Sequence, residues 1–132
     1  MKFNKALRTR EVSQTEWNDL WSRVSHTNLL QSWEYGDAKS YAEGWKPIRL
    51  VFEDEKNFPI GLTQILTKTL PVIGGVARLN RGPLLIQPRE STDNKLTQYN
   101  ILAHIKEVAR QRRWWLFYIA PEIKLEENFH QK

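Results

Sequence analysis

Between Ser13 and Ser25 the apolar residues Trp17, Leu20, Trp21 and Val24 fall at the offsets of one helical face, behind the pattern Ser13-x-x-Glu16. The spacing predicts an amphipathic helix over 13–25. After a polar break at 25–28 and the triplet Leu29, Leu30, Gln31, Ser32 is placed to cap a second helix that runs to about Glu43 and that Gly44 closes. From Trp45 the period falls to two: Ile48, Leu50 and Phe52 alternate with Arg49, Val51 and Glu53, up to a turn at 54–57. Residues 60–70, rich in Thr, Ile and Leu, read as the return strand of a hairpin stopped by Pro71. Gly74 and Gly75 then turn the chain into a third strand over 76–80, and the meander ends at Arg81, Gly82 and Pro83.

Residues 88–94 read as a loop with cap-type residues, and Leu96, Tyr99, Leu102, Ala103, Ile105, Val108 and Ala109 mark a long helix lying across the sheet. Its last turn carries Arg110, Arg112 and Arg113, where cations suit the helix dipole. The run from Trp114 to Ala120 is almost unbroken in its apolarity, as expected of a strand buried on both faces, and Pro121 ends it. Residues 122–132 read as a polar tail or an unfinished element. With a weak strand at the start, this order predicts one domain over 1–132 of the α/β (α+β) class. Its mixed, mostly antiparallel sheet is flanked by helices, and the long helix crosses over to a parallel neighbour.

Composition narrows the chemistry. The 132 residues are 40% hydrophobic and 27% charged, and six tryptophans supply large buried area to one modest core. The absence of cysteine excludes disulfides, thiolate nucleophiles and thiolate metal sites, and suits a reducing cytoplasm. No apolar run approaches the roughly 20 residues that cross a bilayer, so neither a signal peptide nor a span is expected. The net charge of +5 favours polyanionic partners: nucleic acid, nucleotide-linked substrates or an anionic membrane face.

Several residue groupings bear on function. On the second helix Tyr35 and Lys39 are four apart with Gly36 beside them, so a ring, an ammonium and bare backbone share a face that a phosphate could approach. The bland alternative is a solvated lysine and a close-packing glycine, with Trp33 and Trp45 anchoring helix and strand to the core. Glu34 and Asp37, three apart, suit acid–base chemistry only if their environments separate them; otherwise they serve the helix dipole or the hydrated surface. Arg81, at a strand end where Gly82 and Pro83 bend the chain away, either holds a phosphate or carboxylate in its fork or forms an ion pair. The arginines at 110–113 serve a polyanion or simply the helix end. His26, His104 and His130 lack metal-ligand spacing, so no metal is expected. Nucleotide-loop and nucleophile-elbow motifs are absent.

Taken together, LLQSWEYGDAKSYAEGWKPIRLVFED, PIGLTQILTKTLP, RLNRGPLL and WWLFYIAPE, in that order, resemble the N-terminal part of the Fem-type aminoacyltransferases. The likeness covers about residues 29–122. It implies a partial GNAT-like acyltransferase fold and a cytoplasmic activity that passes an amino acid from aminoacyl-tRNA to the peptide of a peptidoglycan precursor, nucleotide- or lipid-linked. It implies that Gln31, Trp33, Tyr35 and Lys39 border the precursor pocket, with Lys39 near the carrier diphosphate and Arg81, in the R-G-P signature, as a weaker contact. No catalytic residue is assigned, and no cofactor beyond the tRNA-borne donor is expected. The chain stops where a first GNAT-like unit would continue, and a second unit is missing. A fragment or truncated relative is therefore expected, with Trp114–Ala120 as an exposed edge on which two copies pair. Two other readings stand beside this one: a CoA-dependent GNAT N-acyltransferase, and a basic RNA-binding module without catalysis.

Overall fold

The computed structural model describes residues 7–72, 74–86 and 94–120. Apart from Asn94, the loop expected over 88–94 lies outside the described residues, as does the tail expected over 122–132. The elements are β1 (Arg8–Glu11), α1 (Gln14–Trp21), a single 3-10 turn (Leu29–Gln31), α2 (Trp33–Glu43), β2 (Lys46–Glu53), β3 (Pro59–Leu70), β4 (Gly74–Asn80), β5 (Leu84–Leu85), α3 (Asn94–Gln111) and β6 (Trp114–Ala120). The strands form one sheet in the order β1-β2-β3-β4-β6, with β5 paired to β3. All pairings are antiparallel except β4 with β6, which is parallel and reached through α3. The mixed sheet and its crossover are thus as the sequence predicts.

Local chemistry sets the helix ends. Ser13 Oγ accepts from the Glu16 N–H and Ser32 Oγ from the Tyr35 N–H, each satisfying a donor of the first turn. Gly44 closes α2 at φ 77°, a left-handed conformation cheap only for glycine, and the Gly44 and Trp45 N–H groups donate back to Ser40 and Lys39. The first helix is shorter than its pattern suggests. It stops at Trp21, and Val24, expected on its apolar face, instead forms an antiparallel bridge to Ile86. The chain tightens there into i→i−3 turns, with the Arg23 and Val24 N–H groups donating to the Leu20 and Trp21 carbonyls, and Val24 still packs against the core that Trp17 and Leu20 build.

The alternation in β2 divides the core into two layers. Ile48, Leu50 and Phe52 meet Ile65, Ala77, Leu79, Ile101 and Ile105 under α3. Val51 faces the other way and joins Trp17, Leu20, Leu62, Leu84 and Ile86, with Trp33 at the margin. Both layers have residues wholly removed from water, which is where most of the stabilisation of so small a domain must come from. Leu96 and Tyr99, expected on the sheet-facing stripe of α3, are exposed, whereas Ile101 and Ile105 are buried against the sheet.

Ile105 is fully buried in the layer beneath α3. Ile105→Ala should cost about 3 kcal/mol of stability through lost transfer energy and the cavity left behind, read as a lower midpoint in urea unfolding.

Candidate functional site

The polar heart of the molecule lies on the face that carries α1 and α2, where β4 parts from β3. Leu66 of β3 pairs with Arg78, but Leu62 pairs with Leu84, so four steps along β3 face six along its neighbour. The extra residues bow outward around Arg81, itself at φ 56°. Into the gap comes the carboxamide of Gln31, which is fully buried. Its Nε2 donates to the carbonyls of Gln64 (3.0 Å) and Asn80 (2.7 Å), and its Oε1 accepts from the Gln64 N–H (2.8 Å). The side chain thus pairs with Gln64 as a strand residue would, filling the break in the ladder. Gly82 makes room for it: a Cβ there would lie 2.8 Å from both Gln31 Oε1 and Leu79 Cδ1.

From Gln64 the network climbs into α2. Gln64 Nε2 donates to the Ser32 carbonyl (2.8 Å), and Gln64 Oε1 accepts from Arg49 Nε (2.9 Å). Arg49 in turn donates to the Trp33 carbonyl (2.9 Å) and to Asp37 Oδ1 (3.0 Å), with its guanidinium 3.5 Å from the centre of the Trp33 ring. Burial pushes the Arg49 pKa down, and the hydrogen bond to Asp37 works against that shift. Gly36 is pressed onto this cluster: a Cβ there would collide with Gln64 Oε1 and fall 2.8 Å from an Arg49 nitrogen. Gly36 is therefore the contact by which the helix seats on the sheet, and its backbone is not open to a phosphate. Of the paired carboxylates, Asp37 is committed to Arg49.

The outward flank of α2 is different. Tyr35, Lys39 and Glu43 follow at four-residue spacing; Lys39 Nζ lies 5.7 Å from the Tyr35 ring centre and 2.8 Å from Glu43 Oε2. Glu43 Oε1 accepts from Trp45 Nε1 at 3.2 Å. The hydrogen bond to Glu43 raises the Lys39 pKa, and the same bond lowers that of Glu43. The residues singled out in the sequence thus part company. Tyr35 and Lys39 share a partly exposed flank, Gln31 is interior, and Trp33 packs between Arg49 and Trp17. Arg81 is exposed at the end of β4, and its carbonyl accepts from Asn28 Nδ2 at 2.9 Å.

The roles of Arg49, Gln64, Asn28 and Asn80 escaped the sequence reading. For Arg49, Gln64 and Asn80 the available signal was a polar residue at an inward position of an otherwise apolar strand, whereas Asn28, just before the 3-10 turn, carried none. Elsewhere, Arg110 pairs with Glu107 and Arg112 lies 3.6 Å from Glu11, so these helix-end arginines have acidic partners. Between the β3–β4 turn and the start of β6 lies a cavity of about 310 Å³ whose lining includes Thr67, Thr69, Arg112, Arg113 and Trp114. Among the described residues no cluster of three or more His, Asp or Glu is placed to hold a metal, and no helix is long and apolar enough to cross a membrane.

Among solved structures the chain superposes on FemX with a TM-score of 0.64 over 89% of its length, at 20% identity. The fold is shared with FemX. The chain spans 28% of the length of FemX. Glucosamine-6-phosphate N-acetyltransferase from Arabidopsis thaliana matches over 96% of this chain and 89% of its own, with a TM-score of 0.49 and 8% identity. The aminoglycoside 6'-N-acetyltransferase AAC(6')-Ih from Acinetobacter baumannii matches at 0.48 and 11%, over 96% of this chain and 85% of its own. The architecture, a mixed and mostly antiparallel α+β sheet flanked among the described residues by three helices, is as expected. No protein-family model matches the chain. No curated protein matches it in sequence either.

The buried amide gives a direct check on the network. Gln31→Leu strands the Gln64 N–H and two carbonyls and should cost about 3 kcal/mol in denaturant unfolding. Gln31→Glu points a carboxylate at those carbonyls, so its folded-state pKa is raised and the folded chain holds the proton more tightly than the unfolded one. That variant should gain stability as pH falls from about 7 to 4.5, relative to the unsubstituted chain.

Proposed function

We propose that this chain is the acceptor-side part of a Fem-type aminoacyltransferase, in which the outward flank of α2 borders the site of a peptidoglycan precursor. The observation that supports the reading most is the presentation of Lys39. The helix is seated on the sheet by Gln31, Gly36 and Arg49, and that seating turns Tyr35 and Lys39 outward together. The FemX fold and the run of four sequence segments are in keeping with it.

In this reading the Lys39 ammonium holds the diphosphate of a nucleotide- or lipid-linked carrier, Tyr35 flanks it, and Arg81 is a second cation toward the strand end, while Trp33, packed between Arg49 and Trp17, serves the seat of the helix. Gln31 contributes by bracing the strands that carry the pocket. The precursor's amine attacks the ester of an aminoacyl-tRNA; a new amide forms, the ester bond breaks, and the tRNA hydroxyl departs with the proton. Such chemistry rests on positioning and on stabilising the oxyanion, and no covalent enzyme nucleophile is required. The activity belongs to a longer assembly than this chain, which spans 28% of FemX.

A CoA-dependent N-acyltransferase has less support. The turn after β4, where a pyrophosphate would need open backbone donors, holds Gly82 and Pro83 buried, and Pro83 has no N–H to offer. A titration of a uridine-diphosphate-linked muropeptide followed by calorimetry tests the proposal. Lys39→Ala should weaken binding about tenfold or more, the usual loss for a charge-assisted hydrogen bond. Equal binding by both proteins would remove Lys39 from the site.

A further inference from the structure

Lys39 is not isolated. Lys68 on β3 and Arg78 on β4 both approach the ring of Trp45, the first residue beyond α2 and Gly44. Lys68 Nζ lies 4.5 Å and Arg78 Cζ 5.6 Å from the centre of the indole, which is itself buried. The indole N–H holds one oxygen of Glu43 while Lys39 holds the other. The fields of these groups overlap: Arg78 acts on Lys39 to lower its pKa, and Lys68 adds to the lowering of Glu43. Among the described residues, no ion pair joins Lys68 or Arg78 to a carboxylate, so one acid answers three cations.

Like charges gathered on one aromatic platform repel one another, and the repulsion turns to attraction when an anion sits among them. We infer that Lys39, Lys68 and Arg78, arranged about the Trp45 indole, form a single site for a doubly charged anion of the diphosphate kind, part of which Glu43 fills until the ligand arrives. The inference deepens the function proposed above. It rests on that reading for the carrier of the diphosphate, and on the geometry for the charge. Arg78 supplies the planar fork that matches two phosphate oxygens, and Lys68 and Lys39 act as point charges beside it. Glu43 is tethered by the indole N–H, so ligand entry releases its contact with Lys39 while the other oxygen stays held.

Calorimetric titration with inorganic pyrophosphate at fixed ionic strength tests this. Arg78→Gln and Lys68→Gln should each weaken binding about five- to tenfold, whereas Arg110→Gln, at the far helix end, should change it by less than about twofold. Arg78→Lys should keep much of the affinity, separating lost charge from lost packing. Glu43→Gln removes the internal competitor and should tighten binding about three- to tenfold. The inference is overturned if Glu43→Gln binds no better than the unsubstituted chain, or if Arg78→Gln loses no more than Arg110→Gln. Should pyrophosphate follow this pattern while the muropeptide fails to bind, the anion site stands and the Fem-type reading falls. Should muropeptide binding depend on Lys39 while pyrophosphate is indifferent to Arg78 and Glu43, the Fem-type reading stands and the three-cation site falls.

Discussion

One buried carboxamide holds the architecture together. Where β4 leaves β3, the ladder would expose a donor and two acceptors in the interior, and Gln31 answers them from a 3-10 turn on the opposite covering layer. An unmet buried backbone group costs as much as a lost hydrogen bond or more, so the fit of this side chain decides whether the bowed strand can exist. Its consequence reaches α2. The partner that Gln31 fixes is Gln64, whose own side chain binds the Ser32 carbonyl at the helix start and the guanidinium of Arg49.

Because α2 is located by hydrogen bonds as well as by apolar contact, its rotation is set closely. A greasy interface tolerates sliding; an interface in which Gly36 must pass above Gln64 and Arg49 does not. The rotation in turn decides which side chains meet solvent. Tyr35, Lys39 and Glu43 are presented on the outer flank as a result of what Gln31, Gly36 and Asp37 do on the inner one.

Much of this framework was legible in the chain, for reasons that are local. Ser32 and Gly44 bound α2 because a hydroxyl at one end and a left-handed turn at the other are short-range requirements. The period of two in β2 and the apolar run of β6 likewise carry their structure in a few neighbouring residues. What was not legible depends on distant pairing. Gln31 meets partners 33 and 49 residues away, so its type alone suited a pocket wall as well as an interior brace. The two residues of β5 are too few to show any period, and the bridge between Val24 and Ile86 joins segments far apart in the chain. Lys39 was found from its spacing to Tyr35, but its neighbour Arg78 comes from another strand, and no helical offset points to it.

The single parallel strand carries a further implication for how the chain assembles. All pairings among β1 to β5 are antiparallel and join segments of the first 86 residues, whereas β6 docks on β4 only after the whole of α3 has been made. During synthesis on the ribosome the meander and its two short helices can therefore close first, leaving the free side of β4 open until α3 folds back across it. Arrival of α3 and β6 then covers Leu50, Phe52 and Leu79, and a nascent chain held before that point would be the form most exposed to chaperone capture.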